Sequence, residues 1–146
     1  MKSVAAMVLL ALCAAMAAPC LAKGTARVQE SNGSVRVYPD VAIDIVHQTL
    51  RVTSADGKAT FVINQSACAY VGVFEHCTPL RMSLERGGTT RVLDTSGGTI
   101  YINPTNSMQT LSHSSTQLLP HGIFLSAGTK PNTYVTISGQ IDSLVR

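Results

Sequence analysis

Beyond residue 34 the chain is built of short alternating runs of apolar and polar residues, broken roughly every eight to twelve residues by Gly, Pro, Asn or Asp. Val35 and Val37 alternate with Arg36 and Tyr38; after Pro39-Asp40, Ile43 and Ile45 alternate with Asp44 and Val46. Leu50 and Val52 alternate with Arg51 and Thr53, and Asp56-Gly57 is a strong hairpin signal. Period two with β-branched residues predicts half-buried strands. Further strands are predicted at 89–94, 99–103, 122–127 and 133–140, separated by Gly87-Gly88, Ser96-Gly97-Gly98 and the turn residues 128–132.

The segment 61–84 organises the rest. Phe61 and Ile63 lead into ten residues closed by Cys68 and Cys77, after which Leu80, Met82 and Leu84 alternate with Arg81, Ser83 and Glu85. The pattern predicts two strands of one sheet joined by a crossing that a Cys68–Cys77 disulfide pins. The fold expected is all-β: a single antiparallel β-sandwich or barrel of about eight short strands with one disulfide. A helix competes in two places. Residues 40–50 are rich in β-branched side chains, which favours a strand, while 69–76 has room for one helical turn. Residues 23–34 are polar and read as an arm ending in the Asn32-Gly33 turn.

The first twenty-two residues change the picture of the cysteines. Lys2, the apolar run 4–18 and the small residues Cys20 and Ala22 before Lys23 form the pattern of a secretory signal peptide. That run is shorter than the ~20 residues a membrane span needs, and nothing later matches its length. Cys20 follows Pro19, which disfavours a lipid-bearing cysteine. The expectation is therefore a signal peptide, 1–22, and an exported β-domain, 23–146, periplasmic or secreted and of bacterial character, without a transmembrane segment in the mature chain. Cys13 and Cys20 leave with the leader, so the remaining pair predicts one intramolecular disulfide.

Charge and composition exclude more than they suggest. Eleven Lys and Arg against eight Asp and Glu, scattered along the chain, make no basic patch, so nucleic acid is not an expected partner. With no Trp, three Phe and four Tyr, the core is expected to rest on Val, Ile and Leu, including Ile100, Ile102, Ile123 and Leu125.

No catalytic motif stands out, and neither a cofactor nor a metal is expected. Ser, His and Asp residues are present without a G-x-S-x-G elbow, and the carboxylates are dispersed. The feature of most functional interest is the stretch 104–120, PTNSMQTLSHSSTQLLP, which is long for a connection without periodicity. It mixes apolar side chains with small polar donors. Met108, Leu111, His113, Leu118 and, just beyond, His121 are the candidate partner-binding residues. The function expected is a small exported non-catalytic β-domain that binds a protein or cell-envelope partner. The alternatives are a structural or assembly subunit on the cell surface, and a small hydrolase using His113 or His121.

Overall fold

The computed structural model describes residues 23–112, 114–129 and 132–146, all strand, turn and loop. The strands are β1 (Gly24–Gln29), β2 (Val35–Val46), β3 (Thr49–Thr53), β4 (Ala59–Gln65), β5 (Ala69–Val71), β6 (Phe74–Cys77) and β7 (Pro79–Arg86). There follow β8 (Thr89–Leu93), β9 (Thr99–Ile102), β10 (Gln109–Thr110), β11 (Gln117–Leu118), β12 (Gly122–Ala127), β13 (Tyr134–Gln140) and β14 (Ser143–Val145). The fold is all-β as expected, with more strands than the expected eight. The additions are β1, where an arm was expected, the short pairs β5–β6 and β10–β11, and β14. No helix among the described residues is long and apolar enough to cross a membrane.

The main sheet runs β5-β6-β9-β12-β13-β1-β2-β3-β4-β7-β8, with β14 joining β2 from the side. Its pairings are antiparallel except β14 on β2, which is parallel. The sheet turns on β2. The first part of β2 pairs with β1 and residues 42–46 pair with β3. Between them, Tyr38 faces Ala26 while Val41 faces Gly24, so β2 spends one residue more than β1. Pro39 has no N–H for the ladder and Asp40 takes a left-handed φ of 55°, which is how a bulge bends a strand.

The bulge also resets which side chains face inward. Val41, Ile43 and Ile45 are buried after it. Before it, Tyr38 points inward and packs edge-on against Phe61 at 5.6 Å, leaving Val35 and Val37 exposed. Both halves of the sheet feed one core: Ile100, Ile102, Ile123, Leu125 and Ile137 from one side, Ile43, Leu50, Phe61, Ile63 and Met82 from the other. Gly24 of β1 and Gly139 of the neighbouring β13 crowd together beside Ile43 of β2. A Cβ on Gly139 would lie 2.3 Å from the Gly24 Cα, and one on Gly24 would lie 2.6 Å from Ile43 Cδ1. Only paired glycines leave Ile43 its place.

Strands β4 and β7 are neighbours, as the segment 61–84 predicts. Between them the chain leaves for the other half, forms the β5–β6 hairpin beside β9, and returns. The Cys68–Cys77 disulfide closes the base of this excursion, with Cα atoms 4.4 Å apart. Thus 69–76 is a hairpin, not a helical turn. Leu80 is a second departure. A register shift at Asn64/Gln65 places Pro79 opposite Gln65 and leaves Leu80 exposed, since a one-residue slip moves a side chain to the other face.

Candidate functional site

Strand parity places the aromatic residues. Ile100, Ile102, Ile123 and Leu125 face the core, so Tyr101 and Phe124, which alternate with them, face outward. Phe124 pairs with Tyr101, Tyr101 with His76, and His76 with Ala69, giving a row across the outer face of β12, β9, β6 and β5. The rings interact: His76 lies 4.8 Å from Tyr101, and Phe74 meets Tyr101 edge-on at 6.3 Å.

Over this face folds the segment 104–120, with Asn103 at the centre of the hydrogen bonds that hold its base. Asn103 is fully buried, and its Nδ2 donates to the carbonyls of Ser107 and Leu119, each at 2.9 Å. Its Oδ1 accepts from the Thr105 amide at 3.0 Å and the Thr105 hydroxyl at 2.7 Å. This Asx-type turn ties both ends of the segment together, and β10 and β11 pair beyond it.

The result is a groove of about 230 Å³. Val71, Phe74, Tyr101, Phe124 and Leu111 supply its apolar walls, and Thr99, Ser112 and Ser114 its hydroxyls. None of these eight side chains is charged. Beside it, β5 ends the main sheet with all three residues exposed, and the exposed Tyr70 and Val73 flank it.

The sequence-predicted residues divide. Leu111 is half-buried in the groove wall. Met108 is exposed and is not among the groove-lining residues. Leu118, on β11, is buried at 2% exposed, lies by Ile123 and Phe124, and does not line the groove. His121 is exposed, with a φ of 52°, and its Nε2 bonds Asn106 Oδ1 at 2.7 Å. His113 lies outside the described residues. Among the described residues, no group of three His, Cys, Asp or Glu side chains is placed to hold a metal ion.

What sequence reasoning missed is the aromatic wall of Phe74, Tyr101 and Phe124. Parity against the predicted core would have revealed Tyr101 and Phe124; nothing in the sequence pairs Phe74 with them, because β6 was not expected. Comparison with known proteins adds no likeness: no family, no curated protein and no solved structure matches the chain.

Proposed function

We propose that this chain is a small exported, non-catalytic β-domain that binds a protein or cell-envelope partner through the groove of Phe74, Tyr101, Phe124 and Leu111. The groove carries the reading: Tyr101, Phe124 and Leu111, half-buried over the buried Phe74, are uncharged and bordered by hydroxyls, the composition of a contact surface. The leader-like N-terminus and the disulfide support export. The hydrolase alternative has His121 bonded to an amide oxygen, a group that cannot take up its proton.

The test is capture from envelope extract by the mature domain and by a Leu111→Ala/Phe124→Ala variant, identifying what the parent alone retains. Capture should fall by at least ~10-fold, a loss of about 1.4 kcal/mol, with thermal unfolding shifted by only a few degrees. Undiminished capture by the folded variant overturns the reading. A second reading, an assembly subunit joined edge to edge, draws on the exposed β5 and a partner strand's need for unpaired backbone groups. Concentration-dependent self-association of the purified domain would favour it.

A further inference from the structure

On the opposite side of β6 from the groove lies a buried carboxylate. Glu75 pairs with Ile102 across the sheet and is only 5% exposed, at a position where an inward-facing strand residue is ordinarily aliphatic. A carboxylate there is costly unless a cation compensates it. The cation present is Arg146, whose guanidinium Nη2 bonds Glu75 Oε2. The Arg146 side chain is 57% exposed, so it reaches in from solvent to an anion that is almost wholly enclosed.

Around this pair is a cleft of about 440 Å³ between β6 and β14, walled by Ile45, Ile102 and Leu144. A second buried acceptor lines it. Gln65 is 4% exposed, its Nε2 faces the disulfide sulfurs at 3.4 and 3.6 Å, and its Oε1 has no hydrogen-bond partner. The cleft therefore combines a buried carboxylate and an aliphatic wall, with the enclosed Gln65 amide beside them. An anion would be repelled by Glu75, and an apolar ligand would cover the aliphatic wall without engaging the carboxylate that Arg146 holds. An N–H donor group on an alkyl stem matches both the carboxylate and the wall.

We propose that this cleft binds an aliphatic cation, a guanidinium or ammonium on an alkyl chain, with Glu75 as its anchor and Arg146 as the resident that the incoming cation displaces. The reading stands independently of the aromatic groove, because Glu75 and its neighbours Phe74 and His76 point to opposite faces of β6.

The experiment uses the full mature chain with Arg146→Ala, titrated with agmatine as a free cation and with a capped Gly-Gly-Arg-Gly-Gly peptide as a protein-borne one. Arg146→Ala should bind at least one probe saturably and at least ~10-fold more tightly than the parent, and adding Glu75→Gln should abolish binding. Preference for the peptide assigns the site to a partner's basic side chain; preference for agmatine assigns it to a small cation. Absence of saturable binding by folded Arg146→Ala, or binding that survives Glu75→Gln, overturns the proposal. Should Arg146→Ala fail to fold, the parent decides. Its Arg146 side-chain NMR signal should move on saturation with the probes, and an unmoved signal overturns the proposal equally.

Discussion

Asn103 shows how much one polar side chain can organise when it is wholly enclosed. Its amide meets donors and acceptors on both ends of the segment 104–120, so the segment has no freedom at its base. Asn103→Asp keeps the shape but sets a carboxylate against the Ser107 and Leu119 carbonyls. It should destabilise the domain by about 3 kcal/mol or more, and amide exchange should quicken across 104–120 before it does elsewhere. A second residue-scale effect depends on pH. Arg91 donates two hydrogen bonds to the Glu30 carboxylate, at 2.7 and 2.6 Å, and these bonds hold the carboxyl below its ordinary range. A depressed carboxyl contributes stability that is present in full above its unfolded pKa and is lost as pH falls through the folded one. The pair is partly exposed, so its share is about 0.5–1 kcal/mol. Unfolding curves of the parent and Arg91→Ala should differ at pH 7 and converge in acid; a constant gap across that range would mean Arg91 acts through packing.

At the scale of the element, the disulfide closes the base of the β5–β6 hairpin, which β9 also holds through β6. Closing that short loop is worth roughly 2.5–3 kcal/mol in the chain-entropy account. A Cys68→Ala/Cys77→Ala variant should lose about 2–5 kcal/mol, measured by urea unfolding, with β5–β6 protection lost first. Most elements were legible because an inward-facing row demands alternation. Leu50 and Val52, Phe61 and Ile63, Ile100 and Ile102 each have polar or outward partners between them. The exceptions have physical causes. β1 carries Gly24, Ala26 and Val28 inward, too small an apolar signal against Arg27 and Gln29, yet it lies in the middle of the sheet. Leu80 was placed with Met82 because alternation assumes an unbroken register, and the shift at Gln65 breaks it. The site was less legible. Leu111 lies in the stretch that the sequence singles out, whereas the wall it faces comes from strands far away in sequence, which only the fold brings together.

At the scale of the molecule, β13, β1 and β2 crowd together where Gly139, Gly24 and Ile43 converge. Gly139→Ala would drive a Cβ into the β1 backbone, and rigid backbone cannot yield as a side chain tip can. The expected loss is about 3 kcal/mol or more, read as a fall in urea midpoint. Ile43→Ala added to Gly139→Ala should not restore it, since the closest contact is with Gly24 itself. The place of β1 has a further consequence. It is held between β2, its neighbour in sequence, and β13, more than a hundred residues later. During synthesis, one side of β1 therefore waits for more than a hundred further residues to be made. Until then its backbone is an open template for any extended polypeptide. Pairing between strands so far apart in sequence slows folding, and the exposure of β1 to misassociation lasts until β13 arrives, whatever the stability of the finished domain.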